Sequence, residues 1–160
     1  MMFSLQNKQA AITGAGSGIG KAIAETFAKQ GAVIHIIDFN GENARQTVAD
    51  IEAAGGKAYW YCGDVSRQEL VADIFQQIGK PDILVNSAGI AHIGKADTTS
   101  TEDFERIFNV NVKGAYNCLH EAIPLMKKQG GGVILNIASI AGPLASLTMP
   151  GEIGHNPQLK

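Results

Sequence analysis

Three glycines, Gly14, Gly18 and Gly20, lie in the run KQAAITGAGSGIG from Lys8 to Gly20, where a short strand ending at Thr13 gives way to a helix. Only glycine both turns this tightly and lets backbone N–H groups come close to a pyrophosphate. The helix that begins near Ser17, Gly18 and Ile19 points its positive end at such an anion. The spacing is G-x-x-x-G-x-G, not the commoner dinucleotide spacing G-x-G-x-x-G. A plain glycine turn is the competing reading. The polar residues farther along the chain weigh against it.

Asp38 closes a second apolar run, Val33 to Ile37, in the place where a carboxylate accepts hydrogen bonds from an adenosine ribose. A carboxylate there repels a 2′-phosphate, and its neighbour Phe39 offers no cation in compensation, which favours NAD over NADP. The alternative is an ordinary strand-end aspartate. Asp64 and Val65 end a third strand, where a carboxylate meets an adenine amino group or simply shapes a turn. Asn86-Ser87-Ala88-Gly89 ends a fourth, with small residues where a ribose or ring must approach the backbone. Asn86 is also suited to bracing the sheet through backbone hydrogen bonds. Asn111 sits in Asn109-Val-Asn-Val112, a run of poor helix formers that implies a kink and aims an amide at the same crevice; a surface asparagine is the bland alternative. Ser139, after a fifth strand, presents a hydroxyl able to hold a carbonyl or merely to cap a turn.

Alternating strands and helices position these residues. Ile19, Ile23 and Phe27 form one helical stripe, closed by Gly31; Ala44, Val48 and Ile51 form another across Glu42 to Ala54. Lys57 to Cys62 reads as a strand, and Ser66 with Glu69 as a capping box opening a helix through Leu70, Ile74 and Ile78. Ile83 to Val85 is the fourth strand. Ser100 or Thr101 caps a long helix bearing Phe104, Phe108, Ala115, Leu119, Ala122 and Met126, and Val133 to Ala138 is the fifth strand. Buried-type strands alternating with helices imply an α/β, Rossmann-type doubly wound parallel sheet in the order 3-2-1-4-5. Its ligand crevice lies between strands 1 and 4. Residues 1–142 make the dinucleotide-binding domain, and 143–160, with Pro143, Pro150 and Pro157, read as an irregular tail.

The bulk composition narrows the function classes. The chain has 160 residues, 45% hydrophobic and 18% charged, which is globular composition. A net charge of −2 argues against a nucleic-acid surface. No apolar run is long enough for a membrane span, and Met1 to Ser4 do not open a secretory signal. Cys62 and Cys118 lack metal or redox spacing, and four scattered histidines give no metal site, so a soluble cytoplasmic protein without metal is expected.

Thr13-Gly-Ala-Gly-Ser-Gly-Ile-Gly20, Asp38, Asp64-Val65, Asn86-Ser-Ala-Gly89, Asn111 and Asn136-Ile-Ala-Ser139 together resemble the short-chain dehydrogenase/reductase family, over roughly Leu5 to Gly142. Ser87 stands where that family usually has a second asparagine. The resemblance implies an NAD-dependent oxidoreductase that transfers hydride to or from an alcohol or carbonyl substrate. It also implies that Ser139 orients the substrate oxygen and Asn111 holds a water in a proton relay. The family's acid/base is a tyrosine assisted by a lysine four residues on, because a free phenol with pKa ~10 is a poor base at neutral pH. At those positions stand Glu152 and Asn156. The expectation is therefore a truncated, catalytically impaired member lacking the family's homo-oligomer interface, marginally stable, with its fifth strand a bare sheet edge. Two other readings are a non-catalytic NAD-binding module and an S-adenosylmethionine-dependent methyltransferase, which also suits Gly14-x-Gly-x-Gly18 with Asp38.

Overall fold

The computed structural model describes residues 4–95 and 97–138. Ser139, and with it the expected tail at 143–160, lies outside the described residues. Five parallel strands alternate with helices. In chain order these are β1 (Gln9–Thr13), α1 (Gly18–Lys29), β2 (Val33–Asp38), α2 (Gly41–Ala53), β3 (Lys57–Cys62), α3 (Gln68–Ile78) and β4 (Ile83–Asn86). There follow α4 (Thr101–Phe108), a π-helical turn (Asn109–Lys113), α5 (Gly114–Lys128) and β5 (Val133–Asn136). The sheet order is β3-β2-β1-β4-β5, as the alternation predicts. Right-handed crossovers of parallel strands leave few other arrangements.

The sheet has a core on each face. Ile12, Ile34, Ile36 and Val85 pack with Ala24, Ala44, Val48 and Ile51 of α1 and α2 on one side. Ala11, Ile37 and Leu84 pack with Val71, Ile74 and Phe75 of α3 and with Cys118, Ala122 and Met126 of α5 on the other. Central strands covered on both faces need apolar residues at every position, which is why β1, β2 and β4 read as continuous hydrophobic runs.

Four local expectations are corrected. Ile19 does not join the buried stripe of α1 but is 64% exposed; Gly20 and Ala24 take the buried face. Ser66 does not cap α3: Arg67 is its N-cap, without a side-chain hydrogen bond, and Val71 and Phe75 bury where Leu70 was expected to lead. The reason is that Asp64 Oδ1 already accepts the Ser66 N–H at 2.9 Å, so the turn belongs to the strand end. No residue of α4 is buried, and Phe104 and Phe108 stack on each other at the surface with ring centroids 6.2 Å apart. β5 stops at Asn136 instead of Ala138; among the described residues it pairs only with β4 and leaves Val133, Leu135 and Ile137 exposed. Ser100 caps α4 as expected, its Oγ accepting the Asp103 N–H at 3.1 Å. No helix among the described residues is long and apolar enough to cross a membrane.

The strands carry buried polar groups, among them a histidine. His35 on β2 is 4% exposed, with Nε2 3.0 Å from Gln9 Oε1 and Nδ1 3.1 Å from the Tyr61 hydroxyl. With Gln9 Oε1 as the acceptor, Nε2 carries the proton and Nδ1 accepts from Tyr61. Burial lowers the His35 pKa to about 4, against ~6.5 in an unfolded chain. Between these values the unfolded state binds more protons, so the contribution of neutral His35 is complete above pH ~6.5 and is lost as pH falls toward 4. Urea unfolding at pH 7 and pH 5 is expected to show a drop in midpoint that is smaller in His35→Gln. An equal drop in both would remove His35 as its cause.

Candidate functional site

The carboxyl ends of β1 to β4 meet along one rim, because parallel register sets Thr13 beside Ile37, Asp38 beside Cys62 and Ile12 beside Val85. The glycine loop after β1 forms its centre. Gly14 adopts φ +65°, and a Cβ there would lie 2.8 Å from Ala88 Cα. A Cβ on Gly20 would collide with the Gly14 carbonyl, whose carbon would be 2.8 Å away. Gly18, at φ +56°, faces open space, so its requirement is conformational rather than steric. Ser17 is the extended N-cap of α1, and its side chain makes no capping hydrogen bond. The first-turn N–H groups of α1, which lack intrahelical acceptors, are thus left without a side-chain acceptor from their own cap.

Asp38 ties this loop to the next. Its Oδ2 accepts the Gly16 N–H at 2.8 Å and its Oδ1 accepts the Asn40 N–H at 2.9 Å. An ionised carboxylate has about four acceptor positions, so capacity remains for a ligand hydroxyl. Gly16 is itself constrained, since a Cβ there would stand 2.9 Å from both Asp38 Cγ and Asn43 Cβ. Phe39, next to Asp38, is 78% exposed.

The remaining expected residues fall on the same rim. Asp64 spends one oxygen on the Ser66 N–H, and Val65 is buried beneath α5. Asn86 is buried, its Nδ2 donating to Asn136 Oδ1 at 2.8 Å. The bracing partner is thus a side chain on β5 rather than the backbone of the sheet. Asn86 Oδ1 has no partner among the described residues. Ala88 and Gly89 follow in the β4 loop, opposite Gly14 and Asn111 respectively.

The expected kink at Asn109–Val112 is the π turn, and Asn111, exposed on it, turns its amide to the loop after β4. Asn111 Nδ2 donates to the Ile90 carbonyl at 2.9 Å while the Ile90 N–H donates to Asn111 Oδ1 at 2.8 Å. That two-point contact holds the loop after β4, leaving one amide hydrogen and one oxygen lone pair for any other partner.

Several residues at the rim escaped the sequence reading. Thr13, 1% exposed, accepts N–H bonds from both Ser87 and Ala88 at 3.0 Å through its hydroxyl. Thr47 of α2, fully buried, donates to Asn43 and lies 3.4 Å from the Gly16 carbonyl. Asn40 caps α2 by accepting the Glu42 and Asn43 N–H groups. Of these, only the cap carried a local signal, an asparagine just before a helical stripe. Two hollows among the described residues lie away from the rim, one lined by Gln6, Lys29 and Gly55, the other by Arg45, Trp60 and Gln77.

Comparison with known proteins points one way. A family model described as short chain dehydrogenase matches residues 8–150. An uncharacterized oxidoreductase of Thermotoga maritima is 45% identical over 141 residues, covering 87% of this chain and 56% of that protein. A 7alpha-hydroxysteroid dehydrogenase of Escherichia coli K12 is 42% identical over 149 residues, 91% of this chain and 58% of the relative. A solved structure of 7 alpha-hydroxysteroid dehydrogenase, complexed with NADH and 7-oxo glycochenodeoxycholic acid, matches with TM-score 0.82 at 39% identity. That match covers 86% of this chain and 55% of the other. The chain spans little more than half the length of these relatives.

Proposed function

The chain belongs to the short-chain dehydrogenase family, and on that premise we propose that its rim binds a nicotinamide dinucleotide, NAD in preference to NADP, in an oxidoreductase acting on an alcohol or carbonyl substrate. The observation that carries this is the cradle in which Gly20 leaves no room for a Cβ against the Gly14 carbonyl while Asp38 anchors Gly16. A diphosphate suits the bare first-turn N–H groups of α1, and Asp38 suits a ribose diol. Gly14 and Ala88 bring the β1 and β4 loops into contact, and a ring there would rest on small residues. When bound, the coenzyme supplies or accepts the hydride. This chain's residues orient it and keep the crevice edges in register: Thr13 by fixing Ser87 and Ala88, Asn111 by fixing Ile90. Ser139 is assigned to the substrate oxygen on the strength of the family resemblance alone.

A dinucleotide-binding module without chemistry is the second reading. Glu152 and Asn156 support it, occupying the positions where the family resemblance puts the proton-handling tyrosine and its lysine. Membership of the dehydrogenase family leaves the methyltransferase alternative without support.

Calorimetric titration with NADH and NADPH tests the binding, and turnover with a panel of alcohols and ketones separates the two readings. NADPH is expected to bind at least ~10-fold more weakly than NADH, because the Asp38 carboxylate repels a 2′-phosphate at close range. Asp38→Ser is expected to close most of that gap. Absence of heat with either nucleotide at millimolar concentration would reject the function.

A further inference from the structure

The helical segment after the π turn touches the rim a second time, at Val65. Gly114 opens α5 against Val65; a Cβ on Gly114 would stand 2.6 Å from Val65 Cγ2, so only glycine admits the helix this close. One turn on, Asn117 is 1% exposed, and its Nδ2 donates to the Val65 carbonyl at 2.8 Å. Its Oδ1 is also buried and accepts no hydrogen bond among the described residues. Cys118, Ala122 and Met126 of the same helix belong to the apolar core on this face of the sheet. An amide with one orphaned polar atom is a poor choice for packing alone, because leaving a buried acceptor unpaired costs about 1–3 kcal/mol. Leucine has the same branching and no orphaned oxygen of its own. What leucine cannot supply is the donor to Val65.

That donor acts on the turn that follows β3. Asp64 and Arg67 already form a closed turn, with the Ser66 N–H on Asp64 Oδ1 and the Arg67 N–H on the Asp64 carbonyl at 3.0 Å. The turn is rigid within itself, so its attitude to the rim depends on how Val65 is held. Gly114 seats the Val65 side chain and Asn117 pins its carbonyl. The same helical run, three residues upstream of Gly114, holds Ile90 through Asn111. One run therefore sets both flanks of the crevice.

We propose that Asn117 is a positioning residue for the adenine end of the dinucleotide, acting through the Val65 carbonyl to fix Asp64 and Val65 against the purine edge. This rests on the binding function proposed above. It predicts a split between the two halves of the coenzyme that a loss of general stability does not produce.

The test titrates the full chain with ADP-ribose, by calorimetry, and with reduced nicotinamide mononucleotide, by its fluorescence. Asn117→Leu is expected to weaken ADP-ribose about tenfold, the worth of one lost positioning hydrogen bond, and to leave the mononucleotide within about twofold. Asn117→Ala should give the same split, since the donor and not the side-chain volume is what both remove. In the nucleotide-free variants, amide exchange is expected to quicken at Val65 to Arg67 and to stay unchanged at Ile90. Equal weakening of both ligands, or ADP-ribose affinity untouched, overturns the positioning role. Failure of the unsubstituted chain to bind ADP-ribose overturns the function and this proposal together, so the two failures are told apart.

Discussion

Gly20→Ala is expected to lower stability by about 1–3 kcal/mol, the usual cost of forcing an extra carbon into packed structure. It is also expected to cut NADH affinity about a hundredfold, since displacing the loop removes more than one charge-assisted backbone donor from the diphosphate. The sign is what makes the experiment informative. Gly20 lies inside α1, and in an exposed helix interior the same change stabilises by up to about 1 kcal/mol. Here the new Cβ meets the Gly14 carbonyl, a backbone atom with no rotamer to move out of the way. Gly89→Ala is the control for stability alone: its Cβ would meet Asn111 Oδ1 at 3.5 Å and Cγ at 3.8 Å, ordinary contact, so little change in stability is expected. Thermal unfolding and NADH titration of the two variants side by side read the result. A Gly20→Ala protein as stable as its parent and binding NADH equally well would remove the glycine loop as the seat of the coenzyme.

Thr13→Val is expected to cost about 2–3 kcal/mol, because the valine keeps the shape and leaves two N–H groups at the crevice without their acceptor. The Ser87 and Ala88 amides both point at that one hydroxyl at 3.0 Å. Thr13→Ser, which is smaller and less apolar but keeps the oxygen, should lose less. Burial alone gives the reverse ranking, since valine is the more hydrophobic residue. Urea unfolding of the pair distinguishes a hydrogen-bond effect from a packing one, and NADH affinity should fall in the same order. A valine variant more stable than the serine one would mean that the hydroxyl contributes nothing to closing the β1–β4 junction.

Much of the fold was legible because its signals are local. β1, β2 and β4 are short apolar runs, α2 and α3 carry helical stripes, and the alternation of the two kinds leaves little freedom in strand order. The unusual run Asn109–Val112 was legible as a distortion, though not as a π turn, because poor helix formers announce strain without specifying its geometry. The capping box at Ser66 misled because Asp64, two residues earlier, competes for the same N–H. The stripe on α4 misled for another reason. Periodicity marks a face as apolar, but burial needs a partner, and Phe104 and Phe108 stack on each other and stay exposed.

By itself the sequence determined how strands and helices alternate and that Gly14, Gly18 and Gly20 crowd one turn, since both follow from neighbours a few residues away. Only the tertiary structure decided which polar groups find each other. Thr13 and Ser87 are 74 residues apart in the chain, Asn117 and Val65 are 52 apart, and Asn86 and Asn136 are 50 apart. A hydrogen bond is fixed by distance and angle to one partner, and no periodicity or propensity in the linear chain encodes which partner the fold will bring.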